Sequence, residues 1–189
     1  LCLETAGALR EDLRILVMSA TMDADRVSGL LDQAPVVVSE GRRFPVQTVY
    51  CPPVDKLNRP LPVLAACEAV IGRALTETRG DMLVFLPGVG EIRTLMARLG
   101  PHPDSGLDIL PLYGDLSVRE QARIFHPRDP ARRRIVLSTA IAETSVTIDG
   151  IQVVIDAGLM RVPRFSPATG MTRLETFPVS RASADQRRG

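Results

Sequence analysis

The sequence predicts an α/β fold built on a mostly parallel sheet, and three observations carry that expectation. Short, continuous apolar runs alternate along the chain with segments whose apolar residues recur at helical spacing. The runs lack the apolar–polar alternation of a half-solvated sheet, so helices are expected on both sheet faces. With 189 residues, 45% of them hydrophobic, the chain can bury a real core and suits one domain or one and a fraction.

The elements follow in order. "LRILVMSA" (13–20) reads as a buried strand, "DADRVSGLLD" (23–32) as a short helix with Asp23 near its start, and "PVVVSE" (35–40) as a strand. "FPVQTVYCP" (44–52) alternates and ends at prolines, the pattern of an edge strand. The Pro-rich stretch 52–62 is a connector, and 63–77 carries apolar residues at helical spacing. Strand 80–88 closes on Pro-Gly, and helix 89–100 stops at Gly100. Strand 107–114, helix 117–125, strand 133–139 and strand 151–158 complete the rhythm. Residues 159–179 break it: two extended arms flank a turn signal at Ser166–Gly170, which predicts a projecting β-hairpin. The style also changes near residues 41–45, which places a domain boundary there.

The totals exclude several classes. A net charge of +1 gives no global pull toward nucleic acid or anionic lipid, so any such surface is a local patch. Cys2, Cys51 and Cys67 are odd in number and far apart, which argues against a disulfide framework or a zinc site and fits a reducing cytoplasm. No apolar run approaches the ~18 residues of a membrane span, so no membrane partner is expected. The opening "LCLETAGALRED" reads as the tail of a helix and suggests a chain cut from a longer one. His102 and His126 have no ligand-spaced partner, and "DPARRRI" (129–135) reads as a solvated basic loop.

Chemistry is expected in the loops after strands, because parallel sheets bind ligands outside their carboxyl ends. The 14 residues from Ser138 to Ile151, between two apolar runs, hold five Ser or Thr hydroxyls, two carboxylates and one glycine. Small hydroxyls can donate to phosphate oxygens, and an Asp can accept from ribose hydroxyls. The alternative is that they cap the helix starting near Ala142.

"STAIAETSVTIDGIQVVIDAG" closely resembles motif V of the DEAH-box RNA helicases. "LVMSAT" is similar to their motif III, "MLVFLPGVGEI" to motif IV, "LPLYGDLSVREQARIF" to the segment between motifs IV and V, and "SRASADQRRG" to the opening of motif VI. The five blocks stand in family order, and "MRVPRFSPATGMTRLET" is similar to the bacterial, HrpB-like group. The resemblance implies two RecA-like domains with ATP between them and single-stranded RNA across both. Residues 1–44 would end the first domain, and 45–189 would form the second, broken off within motif VI. DNA in place of RNA, or an RNA-binding module that does not unwind, are the alternatives.

The resemblance also implies roles. Ser145, Thr147 and Asp149 align with motif V residues on the nucleotide and its metal-bound water. Phe125 matches an aromatic that stacks on the base, a contact needing only a π-face. On composition alone that phenylalanine would be core, and Asp149 before Gly150 would be a turn former. Thr139 matches a residue on an RNA phosphate, and Ala140 stands where the family commonly has Asn. Ser19 and Thr21 match the motif III pair that couples phosphate state to domain movement. Gln186 matches a residue near the γ-phosphate; Arg187 is not an arginine finger, and the fingers would fall after Gly189. The chain holds no G-x-x-x-x-G-K-[ST] and no D-E-x-H, so the ligands of Mg²⁺ are expected outside it and the chain alone is expected not to hydrolyse ATP. The hairpin, with Arg161, Arg164 and Arg173, would lie near the RNA path, with a solvated surface hairpin as the equal alternative.

Overall fold

The structure is a computed structural model describing residues 12, 14–18, 23–39, 45–55, 57–100, 106–125, 129, 131–143 and 147–189. The chain forms two compact units, Leu1–Pro45 and Val46–Gly189.

In the first unit, α1 spans Ala24–Leu30, and the Asp23 carboxylate caps it by accepting from the Arg26 amide at 3.2 Å. The strands expected at 13–20 and 35–40 do not form over the described residues 14–18 and 35–39, and the one expected at 44–52 does not form over 45–52. A strand exists only as a rung of a ladder, and these segments have no partner strand among the described residues. Their apolar side chains face solvent instead, Leu16 at 79%, Met18 at 80% and Val37 at 92% exposure.

From residue 63 onward the second unit matches the expected elements closely. Helix α2 (Val63–Glu77) leads into β1 (Asp81–Phe85), α3 (Val89–Leu99), β2 (Leu107–Leu112), α4 (Val118–Phe125) and β3 (Arg133–Ser138). A 3₁₀ turn at Ala140–Glu143 precedes β4 (Ile151–Asp156), then β5 (Leu159–Ser166), β6 (Met171–Pro178) and α5 (Arg181–Arg188). The four-stranded sheet runs β2-β3-β1-β4 and is parallel throughout, with Val84 opposite Leu137 and Ile155.

Because β1 and β3 are central and covered on both faces, neither can spare a face for polar residues. Met82, Val84, Ile135 and Leu137 point into one core with Cys67 and Ile71 of α2 and Ile92 and Leu95 of α3. Leu83, Phe85 and Val136 point into the other with Ile124 of α4, Ala142 and Ile148. A buried Ile or Leu contributes about 1.5–3 kcal/mol by leaving water, so these two layers carry the unit. Helix α3 stops at Gly100, whose φ of 65° is the left-handed geometry glycine tolerates. Helix α4 opens with a capping box, in which the Ser117 amide donates to Glu120 Oε2 at 3.0 Å and the Glu120 amide to Ser117 Oγ at 3.3 Å.

The hairpin β5–β6 forms as the turn signal predicts and makes its own two-stranded antiparallel sheet. Its base is tied down by the Arg161–Glu91 ion pair at 2.8 Å and by the Val179 amide donating to the Gly158 carbonyl at 3.0 Å. Farther out, Phe165 and Leu174 are 61% and 68% exposed.

Candidate nucleotide and nucleic-acid site

The segment from Ser138 to Ile151 connects the carboxyl end of β3 to the amino end of β4, and because the two strands are parallel it must cross the whole depth of the sheet. The expected site residues therefore divide between two edges, which corrects the reading that loops at the carboxyl ends gather them all. Thr139 lies at the carboxyl edge, where its amide donates to the Leu112 carbonyl at 3.2 Å. Asp149 lies at the amino edge, since the next carbonyl, that of Gly150, accepts from the amide of Asp81 at the start of β1. Phe125 ends α4, which returns from the carboxyl end of β2, so its ring is also at the amino edge and is 48% exposed.

The hydroxyls do not share one purpose. Ser138 is buried, and its Oγ donates within the fold, to the Leu112 carbonyl at 3.2 Å or the Thr139 carbonyl at 2.8 Å. Thr147 is exposed and Thr139 half-buried, and neither hydroxyl has a hydrogen-bond partner among the described residues. Ser145, Ser19 and Thr21 lie outside the described residues. Gly150 has a φ of 88°, so Asp149 does stand in a turn. Its exposed carboxylate is nevertheless not spent on that turn and has no partner among the described residues.

What holds the amino edge is a buried charge pair. The Arg134 Nε donates to Asp81 Oδ2 at 2.8 Å, and the Arg134 amide donates to Asp81 Oδ1 at 2.9 Å. Arg134 Nη1 donates to the Ile124 carbonyl at 2.9 Å, and Nη2 donates to the Asp149 carbonyl. Asp81 is fully buried, and the Arg134 side chain is 7% exposed. One guanidinium thus binds the last turn of α4, next to Phe125, to the backbone of Asp149.

Sequence reasoning missed this, because it read 129–135 as a solvated basic loop. Arg133 and Arg134 are in β3. Arg133 serves the end of α2, donating to the carbonyls of Gly80 at 2.5 Å and Thr78 at 3.0 Å and to Thr78 Oγ1 at 2.7 Å. Burial pulls its pKa below the usual arginine range. Arg132 pairs with Asp108 at 2.8 Å. The one available signal was Asp81, an acid opening an apolar strand, which needs a buried cationic partner.

The carboxyl edge has a second buried arginine. The side chain of Arg187 is 1% exposed. It donates to Glu143 Oε1 at 2.6 Å and to Asp156 Oδ1 at 2.7 Å, and lies 4.9 Å from the centroid of the Phe85 ring. Glu143 also accepts from Ser183 Oγ at 2.6 Å. This knot clamps α5 to the 3₁₀ turn and so fixes the backbone beneath Gln186, whose half-buried side chain has no hydrogen bond among the described residues. No described contact joins Gln186 to Asp149 or Phe125.

The hairpin arginines are largely engaged. Arg161 pairs with Glu91, and Arg164 pairs with Glu175 at 3.4 Å and lies over the Phe177 ring. Arg173, directly opposite Arg164, has no ion pair among the described residues. No three His, Cys, Asp or Glu residues stand together among the described residues. No helix among them is long and apolar enough to cross a membrane.

Among the described residues, the parallel sheet thus carries an exposed aromatic ring and an unpartnered carboxylate at one edge and an unpartnered threonine hydroxyl at the other. The family model for the helicase conserved C-terminal domain matches residues 63–189. The chain belongs to this family. It is 45% identical over its whole length to ATP-dependent RNA helicase HrpB of Escherichia coli (strain K12), and spans 23% of that protein. It is 40% identical, over 95% of its length, to probable ATP-dependent RNA helicase DHX34 of Mus musculus, of which it covers 16%. A crystal structure of Escherichia coli DEAH/RHA helicase HrpB aligns with it at a TM-score of 0.84 and 44% identity, covering 100% of this chain and 24% of the other. The chain is HrpB-like, its fold is RecA-like, and it spans about a quarter or less of the length of these relatives.

Proposed function

We propose that this helicase C-terminal domain is one wall of an ATP-driven RNA motor, with residues 45–189 as a second RecA-like lobe and 1–44 as the end of a first. The observation that carries the reading is the pairing at the amino edge. One buried guanidinium donates to the backbone carbonyl of Ile124, next to the exposed Phe125 ring, and to that of Asp149, whose carboxylate is unspent, so the two groups suit a base and a ribose. The likeness to proteins named ATP-dependent RNA helicases supports the same reading.

In this proposal Phe125 covers the face of the adenine base, and Asp149 accepts hydrogen bonds from the ribose hydroxyls. Thr147 and Ser145 donate toward phosphate oxygens, and Gln186 orders the region near the γ-phosphate. Thr139, at the opposite edge, donates to an RNA phosphate, which grips a strand without reading its sequence. Ser19 and Thr21 pass the nucleotide state to domain movement. Magnesium, when bound with ATP, would shield phosphate charge. Residues 1–189 contain neither a Walker loop nor a D-E-x-H, so on its own the chain does not turn over nucleotide.

The test is phosphate release by the complete protein with single-stranded RNA, single-stranded DNA or neither. Phe125→Ala is expected to raise KM for ATP, and Thr139→Ala to raise the RNA concentration giving half-maximal stimulation. Turnover indifferent to nucleic acid would leave a binding module in place of a motor, and stimulation by DNA alone would make it a DNA translocase. Phosphate release by the chain of residues 1–189 would refute the division of labour.

A further inference from the structure

We infer that Arg134, held in place by Asp81, is a positioning residue for the base and ribose of the bound nucleotide. The inference rests on the proposed function and adds to it. The two residues assigned to the nucleoside, Phe125 and Asp149, come from different connections of the fold: the end of α4, and the turn before β4. Their chain neighbours Ile124 and Ile148 share the second core, an undirected apolar contact, so a directed link between the two segments has to touch both. Arg134 does this through backbone carbonyls, taking that of Ile124 at 2.9 Å and that of Asp149.

The geometry suits alignment better than generic stability. A guanidinium is a rigid planar fork, so its donors leave in fixed relative directions. Here Nη1 and Nη2 serve the two ligand-bearing segments, while Nε is used by Asp81. The Asp81 carboxylate takes both the Nε and the backbone amide of Arg134, which fixes the fork relative to the central strands. The amide of Asp81 also donates to the Gly150 carbonyl at 3.2 Å, so the Asp149–Gly150 turn is held at two successive carbonyls. The pair is buried, which keeps water from competing for the carbonyls. Both side chains are remote from chemistry: they touch the backbone beneath the ligand groups and not the ligand.

Nucleoside contacts are made equally in the ground and transition states, so misplacing them should raise KM and spare kcat. The test uses the complete protein with three changes: Phe125→Ala, Arg134→Lys, and the double change Asp81→Asn with Arg134→Met. The double change removes both charges together, which avoids stranding one in the core and keeps the fold. We expect it to raise KM for ATP roughly fivefold, a fraction of one base-stacking contact, with kcat within about twofold and Tm near wild type. Arg134→Lys keeps a charge beside Asp81 but loses the fork, and should raise KM about twofold at unchanged Tm. KM for inorganic tripolyphosphate, which has no base or ribose, should not move in any variant. The inference is overturned if KM for ATP stays at the wild-type value in folded variants, or if tripolyphosphate is affected as strongly as ATP. Phe125→Ala separates the two levels. If it leaves KM unchanged, the nucleotide reading itself fails; if it raises KM while the Arg134 variants do not, only the positioning role fails.

Discussion

Replacing Arg187 with methionine tests the knot at the carboxyl edge. The arginine side chain is 1% exposed and serves two carboxylates, Glu143 at 10% and Asp156 at 25% side-chain exposure. Methionine has similar reach and leaves no cavity of consequence, so the cost is electrostatic. Asp156 is the wetter of the two and still accepts from the Gly158 amide at 2.8 Å, so water can repair much of its loss. Glu143 cannot be repaired so readily, because it keeps only the Ser183 hydroxyl. Stranding one partner of a buried pair costs about 3–5 kcal/mol, and with one of two acceptors rehydrated the lower end applies, about 3 kcal/mol. At a urea dependence of roughly 2 kcal/mol per molar, the midpoint followed by circular dichroism falls by about 1.5 M. Adding Glu143→Gln to Arg187→Met should return about 1 kcal/mol, because the stranded charge is then gone. A midpoint shift below about 0.3 M for Arg187→Met would show that the arginine is not buried against these carboxylates, and the account of how α5 is fixed would fall with it.

Three further outcomes follow from local chemistry. Burial, reinforced by the nearby Asp156 charge, pushes the Cys67 thiol up to about 11, so the folded state resists ionisation that the unfolded state undergoes near 9. Its contribution is therefore full below pH 9 and declines as pH rises toward 11, by up to about 3 kcal/mol; Cys67→Ala should flatten that decline in pH-dependent urea melts, and iodoacetamide should label the exposed Cys51 well before Cys67. Hydrogen bonds from Ser117 hold the Glu120 carboxyl below the usual glutamate range, so the capping box of α4 is intact above the unfolded value and weakens as pH falls through the folded one; Glu120→Gln should remove that acid-side slope from the melting curve. A Cβ on Gly80 would sit 2.4 Å from the Gln152 side chain, so Gly80→Ala should lower stability by about 1–3 kcal/mol in the same assay, while Gly72→Ala, which meets open space, should not.

The four core strands were legible in the sequence because each is a continuous apolar run closed by Gly, Pro or a polar turn. The hairpin was legible because Ser166–Gly170 interrupts two extended arms. The strands expected before residue 52 were not recoverable by the same logic, since an apolar run states only that a strand could form, and Leu16 and Val37 show what remains when no neighbour supplies the ladder. At the site, the cluster of hydroxyls was conspicuous as polarity between two apolar strands, but its division between two edges depends on strand order and direction. The buried arginines were hidden for a similar reason. Arg134 sits in a run of three arginines that looks solvated, and its partner Asp81 is 53 positions away. Arg187 borrows its partners from the 3₁₀ turn and the end of β4, neither of which a local pattern can announce.

The path between β3 and β4 is pinned partway, at Ala142 and Ile148, both sunk into the second core. A stretch studded in this way cannot slide lengthwise to report at one margin what has happened at the other. Under the proposed function, a strand at Thr139 and a nucleoside at Asp149 would then be coupled by movement of the unit as a body, a lever and not a wire.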